Sequence, residues 1–228
     1  MTNDLVEFAT DTDVFLLIGT NTSECHPIIA MQMQRGLERG AKMIVVDPKR
    51  TDMAKKADIF LQSPVGANIK TLNTMMNVII SENLQDSEFI EKYAEGFEYL
   101  KEAVKDFTPE RFERETGVKK ELITEAARMY AKAGSAAICY TMGITQFSDG
   151  TSNVFSLSNL AILTGNLGKK GAGVNPLRGQ NNVQGSCDMG ALPNVIPAGA
   201  VNSAYAQEQA RKVWHFELNP VPGFKLTY

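Results

Sequence analysis

The chain has 228 residues, an apolar fraction of 43% and a formal net charge of −3. That suits one large domain, or a domain with an appendage, around a substantial core, and it argues against nucleic acid or an anionic membrane as a partner. No run reaches the roughly 18 apolar residues of a transmembrane helix, and the acidic N-terminus through Asp13 has no secretory core, so a cytoplasmic setting is expected.

Residues 14–19 (Val-Phe-Leu-Leu-Ile-Gly) are a short continuous apolar run closed by glycine, the pattern of a strand buried on both faces of a parallel sheet. Thr20 to His26 is a polar loop, and Pro27 suits the first turn of a helix because its missing N–H has no partner there anyway. That helix continues through Ile28, Ile29, Met31, Met33 and Leu37 and stops at Gly40. Residues 42–47 form a second strand ending in Asp47, which completes a right-handed βαβ unit. Residues 58–61 make a third strand. Over 68–81, Ile69, Leu72, Met76, Ile79 and Ile80 share one helical face. Helices are expected over 89–104 and 119–132, a strand over 135–140 and a helix over 154–163. Regularity then fades into the glycine-rich run 164–173 and the polar run 175–185. Residues 198–207 are weakly helical, and 221–228 read as a cut end.

Alternating strands and helices predict an α/β fold: a Rossmann-like open, mostly parallel sheet with helices on both faces. Its ligand belongs off the carboxyl ends of the strands, where the loops 19–26, 47–51, 62–68 and 141–150 gather. The first loop is not a dinucleotide fingerprint: Gly19 is present, but the later glycine positions hold Asn21 and Glu24. This disfavours an NAD-dependent dehydrogenase. Asn21 suits either a turn or a sugar or base edge, and Glu24 can accept from a hydroxyl or an exocyclic amine. Asp47 stands where such folds place a ribose-binding acid, or it caps the helix starting near Thr51. Asn68 could cap the helix it opens. Gln146 offers both donors and acceptors, and Met142 offers soft apolar contact. Arg178 is the single charge of the run 175–185 and can fork onto a carboxylate or phosphate.

Cys25, Cys139 and Cys187 are dispersed and read as reduced packing residues, with no metal-ligand spacing. An iron–sulfur cluster needs a fuller set of cysteines than these supply. His26 reads as a helix-start residue and His215 as peripheral, beside Trp214. No metal ligand is assigned.

Several runs occur in a telling order: Gly19-Thr20-Asn21 with His26-Pro27, Val46-Asp47-Pro48-Lys49, and Met142-Gly143-Ile144-Thr145-Gln146. Leu163-Thr164-Gly165-Asn166-Leu167-Gly168 and Arg178-Gly179-Gln180-Asn181-Asn182-Val183-Gln184-Gly185 follow. In these the chain closely resembles the catalytic (alpha) subunit of molybdopterin-dependent formate dehydrogenases, from about Asp11 to about Gly199. The resemblance implies an α/β domain over 1–178 that binds one guanosine end of a molybdopterin guanine dinucleotide carrying molybdenum or tungsten. It implies an irregular segment over 179–228 that leads into a missing neighbouring domain. Carried over, Gly19, Asn21 and Glu24 line the nucleotide, Asp47 and Arg50 meet its ribose or phosphate side, and Gly66 and Asn68 lie at the same end. Met142 and Gln146 face the pterin, Gln180 sits near it, and Arg178 lies beside the metal and orients formate.

The same resemblance places a cysteine or selenocysteine metal ligand and an iron–sulfur cluster in parts upstream of this chain. The isolated chain is therefore expected to bind no cofactor and to be inactive. In the intact enzyme, formate is oxidised to carbon dioxide. The implied partners are formate, other domains of the same subunit and electron-transfer subunits. Asn68 stands where relatives often carry an acid, and Lys170 where many carry proline. The rival readings are a nitrate-reductase-like member of the superfamily and a bare nucleotide-binding module.

Overall fold

The computed structural model describes residues 4–223. Residues 1–3 of the acidic N-terminus and residues 224–228 of the expected cut end lie outside the described residues. The chain divides into two compact units, Met1–Leu177 and Arg178–Tyr228.

In the first unit the elements run α1 (Leu5–Thr10), β1 (Val14–Ile18), α2 (Thr22–Cys25), α3 (Pro27–Arg39), β2 (Lys42–Val46), α4 (Asp52–Lys56), β3 (Ile59–Leu61) and α5 (Asn68–Ser81). They continue with α6 (Ser87–Tyr93), α7 (Phe97–Val104), α8 (Pro109–Thr116), α9 (Lys120–Ala131), β4 (Ala136–Tyr140), α10 (Met142–Thr145), α11 (Gly150–Leu163) and β5 (Gly173–Pro176). The strands form one five-stranded sheet in the order β3-β2-β1-β4-β5, with every neighbouring pair parallel. This is the expected open α/β architecture.

Why β1 and β4 read as unbroken apolar runs is clear from the packing. Successive strand side chains point to opposite faces, and helices cover both. Leu16, Ile18, Ile44, Val46, Ile138 and Tyr140 face the core shared with α5, α9 and α11. Phe15, Leu17, Met43, Val45, Ala137 and Cys139 face the core shared with α1, α3 and α4. Burial of each large side chain contributes about 1.5–3 kcal/mol. Cys139 is fully enclosed, and burial pushes its thiol pKa up, so it is an inert packing group.

The structure corrects several expectations. The single helix expected over 89–104 is two helices, α6 and α7, because Gly96 turns left-handed between them with φ +77°. The helix expected over 154–163 begins at Gly150. Regularity does not stop at Gly165: β5 joins the sheet edge, pairing Ile138 with Val174 and Tyr140 with Pro176. The intervening Asn166 is buried. Its Oδ1 accepts from Ala136 N at 2.9 Å and its Nδ2 donates to Thr164 Oγ1 at 2.9 Å. The Leu163–Gly168 motif thus secures the entry to β4.

The second unit carries α12 (Val183–Asp188), the antiparallel pair β6 (Val195–Ile196) and β7 (Gly199–Ala200), and α13 (Ala204–Trp214). The weak helix expected over 198–207 is displaced to α13, which Ser203 caps by accepting from Ala206 N at 3.1 Å. His215 ends α13 in the left-handed region. Among the described residues, no helix is long and apolar enough to cross a membrane.

Candidate functional site

The strand order reverses between β1 and β4, since the chain builds β2 and β3 on one side of β1 and then returns to the other. Loops leaving the carboxyl ends of such neighbours part and open a crevice. Here Gly19 follows β1 and Gly143 follows β4, and the two backbones touch. Gly143 N donates to Gly19 O at 3.2 Å, and Thr141 Oγ1 donates to the same oxygen at 2.7 Å. A Cβ on Gly19 would lie 2.6 Å from the Gly143 carbonyl carbon, and Gly19 has φ +58°. Only glycine at both positions permits this floor.

Beside that contact, over the ends of β1, β2 and β3, lies a hollow of about 190 Å³. Gly19, Asp47, Gly66, Asn68, Gly143 and Phe147 are among its lining residues. Four of the expected site residues, Gly19, Asp47, Gly66 and Asn68, are therefore brought together. Asn68 does not cap α5. Ala67 takes that position without a side-chain bond, and Asn68 Nδ2 instead donates to Gly143 O at 3.2 Å, tying two rim loops.

Asp47 is not a helix cap either. Thr51 caps α4 by accepting from Ala54 N at 3.3 Å, while Asp47 Oδ1 accepts from Lys49 N at 2.8 Å. Partial burial raises the Asp47 pKa from its ordinary value, against the opposing pull of the Lys49 N–H and the Lys49 charge. A raised folded-state pKa contributes stability that is present below the unfolded pKa and lost as pH rises through the folded one. Asp47→Asn should therefore match the wild type in urea midpoint at about pH 3 and exceed it at about pH 7 in the ligand-free chain.

Asn21 precedes α2, and its Oδ1 is buried without a hydrogen-bond partner among the described residues. Such an acceptor costs about 1–3 kcal/mol unless a donor arrives. Glu24 on α2 and Arg50 before α4 are exposed and stand outside the hollow's lining, as do Asn21, Met142 and Gln146. Met142 and Gln146 bracket the one-turn helix α10 and are exposed. That hook is held by buried Ile144 and by Asn153, whose Nδ2 donates to Ile144 O at 3.0 Å. Arg178 and Gln180 fall in the second unit, where both are exposed. His26 stands at the junction of α2 and α3, the helix-start position expected of it.

Sequence reasoning did not single out Gly143, Phe147 or Asn153 as site-forming. Gly143 stands three residues past the end of β4, and only the pairing of β4 with β1 gives that glycine its role. Phe147 carried no signal. Among the described residues, no group of three or more His, Cys, Asp or Glu side chains is arranged to hold a metal ion.

What the hollow offers is one carboxylate, Asp47, one amide, Asn68, and glycine backbone, with the exposed Lys49 and Arg50 following Pro48 in the chain. That set can accept from hydroxyls or amines, donate to carbonyls, and let a flat or phosphorylated ligand lie against the main chain.

Known proteins sharpen this. The sequence matches the family described as molybdopterin oxidoreductase over residues 1–227. It is 52% identical over 229 residues to the F420-dependent formate dehydrogenase subunit alpha of Methanocaldococcus jannaschii, covering 99% of this chain and 33% of that protein. It is 47% identical over 219 residues to formate dehydrogenase H of Escherichia coli, covering 95% of this chain and 31% of that protein. The chain thus spans about a third of the length of these curated relatives. The fold is similar to that of acetylene hydratase from Pelobacter acetylenicus, with TM-score 0.68 and 33% identity over 72% of this chain and 23% of that one. With the family matched over nearly its whole length, the chain belongs to the molybdopterin oxidoreductases.

Proposed function

We propose that this chain is the nucleotide-holding α/β portion of a formate dehydrogenase catalytic subunit, and that its carboxyl-edge crevice takes one guanosine end of a molybdopterin guanine dinucleotide. The observation that carries the reading is the convergence of Gly19, Asp47, Gly66 and Asn68 on one hollow at the strand-order reversal. Asn21 Oδ1, buried without a hydrogen-bond partner among the described residues, fits a ligand that brings donors.

In this reading Asp47 accepts from the ribose hydroxyls, and Asn21 accepts from a hydroxyl or exocyclic amine. Arg50 balances the diphosphate, with Glu24, Gly66 and Asn68 at the nucleoside end. Met142 and Gln146, presented on the α10 hook, contact the pterin, as does Gln180. When bound in the full subunit, the cofactor supplies redox chemistry at its molybdenum or tungsten. Arg178, the only cation in its polar run, holds the formate carboxylate by a planar fork and so orients the C–H bond. An iron–sulfur cluster in another part of the subunit would supply the electron exit toward electron-transfer subunits.

The test is cofactor content in the full-length subunit. Asp47→Ala removes a charged hydrogen-bond acceptor worth about 1.5–3 kcal/mol, or roughly 10- to 100-fold in affinity. Metal and guanine nucleotide released on denaturation should fall together. Unchanged content of both would remove Asp47 from the site.

A further inference from the structure

A second feature lies at the other edge of the sheet. Helix α11 is apolar on two sides. Leu157, Leu160 and Ala161 are buried, while Phe155 on the outer side is 64% exposed. Asn159 and Ile162 follow Phe155 on the same helical face. Across from them, α6 and α7 meet at the left-handed Gly96, and the turn leaves Tyr93 and Tyr99 65% and 84% exposed. Tyr93, Glu95, Phe97, Tyr99, Asn159 and Ile162 help line a hollow of about 480 Å³. Large apolar side chains grouped in this way on a surface mark an interaction site.

The charge around the hollow is one-sided. Its cations are already engaged: Lys92 lies 5.0 Å from the Tyr93 ring centroid, Lys101 is 3.9 Å from Glu98, and Lys105 pairs with Glu102. Glu88, Glu91 and Glu95 are exposed and form no ion pair among the described residues. The unmatched charge is therefore negative, which selects a cationic occupant and rejects anionic lipid or nucleic acid.

Position separates this hollow from the crevice. Asp86 N donates to Leu163 O at 3.0 Å, so α6 starts where α11 ends. In a parallel α/β sheet, the end of a helix that follows a strand lies at the amino edge. At about 1.5 Å per residue, α11 puts roughly 20 Å between its two ends. The crevice lies at the carboxyl edge, at the opposite ends of the strands from this hollow. The choice of a separate polypeptide as occupant rests on the function proposed above.

We propose that this hollow docks a second polypeptide through a segment in which an apolar or aromatic side chain is flanked by lysine or arginine. The apolar group enters between Tyr93, Tyr99 and Ile162, and the flanking cations meet Glu91 and Glu95.

The experiment places the photoreactive residue p-benzoylphenylalanine at Tyr99 of the full-length subunit, in the intact complex with its companion subunits. The crosslinked peptide is sequenced. The expected product joins position 99 to a second polypeptide, within a stretch carrying lysine or arginine beside an apolar residue. Glu91→Lys with Glu95→Lys should cut the yield about tenfold, and added salt should lower it in the wild type. A crosslink within the same subunit, to another copy of it, or to a segment without basic residues would overturn the proposal. So would the absence of any crosslink, or a yield indifferent to charge reversal. Cofactor content measured in the same preparations keeps the two readings apart: it should be unchanged by the Glu91 and Glu95 substitutions. If it is also unchanged by Asp47→Ala, the crevice assignment fails and the crosslink does not.

Discussion

Gly143→Ala is expected to destabilise the chain by about 2–4 kcal/mol, because overpacking of this kind has no soft direction in which to relax. The added Cβ would sit 2.6 Å from both Cα and O of Gly19. Those are backbone atoms at the end of a fully buried strand, so no rotamer change can clear them. Relief requires β1 and β4 to part, and their register runs through the centre of both cores. The Gly143 N and Thr141 Oγ1 bonds to Gly19 O would be lost with the contact. Gly66→Ala is the informative control. Gly66 lines the same hollow and has φ +85°, but a Cβ there meets nothing within 4 Å. Its cost should be only the left-handed backbone penalty of about 1–2 kcal/mol. Urea unfolding of the two variants beside the wild type measures both. Equal losses would mean that the Gly19–Gly143 contact is not a steric constraint.

In the full-length subunit, Arg178→Ala is expected to lower kcat/KM for formate roughly 100- to 1,000-fold, the scale of removing one aligned donor from an active site. A guanidinium presents two parallel N–H groups to a carboxylate and cannot be neutralised at working pH, so substitution takes away both charge and orientation. Arg178→Lys should recover only part of the loss, because an ammonium supplies charge without the fork. Cofactor content should stay at the wild-type level in both variants. Steady-state dye reduction with formate, alongside metal analysis, checks this. A loss of cofactor in step with activity would assign Arg178 to holding the cofactor rather than formate.

How much of this was legible in the sequence depends on whether the signal is local. The runs ending at Gly19 and Asp47 announce buried parallel strands, since both faces of β1 and β2 are covered and neither face needs a polar residue. Pro27 and Gly40 mark the ends of α3 by backbone chemistry alone. β5 was not legible because its sequence is Gly-Val-Asn-Pro, which has no strand propensity. Pairing with β4 makes it a strand, and Asn175 is buried there with its Nδ2 on Gly173 O at 3.1 Å. The break between α6 and α7 was hidden because apolar residues continue at helical spacing across Gly96. The site follows the same division. Asp47 is legible from its place after a strand. The need for glycine at position 143 arises only when β4 returns beside β1, in a loop whose Thr141 lies 122 residues from the Gly19 it bonds. Asn68 was expected to cap α5, but it is the first residue of that helix and its Nδ2 donates to the Gly143 carbonyl of that same distant loop.

The most direct measurement is a titration of guanosine diphosphate into the isotope-labelled chain, followed residue by residue by amide NMR. The fragment holds only one face of the proposed cofactor site, so affinity in the millimolar range, about −4 kcal/mol, is expected. Saturable shifts are expected to cluster at Gly19, Asn21, Asp47, Gly66, Asn68 and Gly143, and to weaken in Asp47→Ala. Saturable shifts confined to another surface, or none at several millimolar ligand, would contradict the crevice assignment.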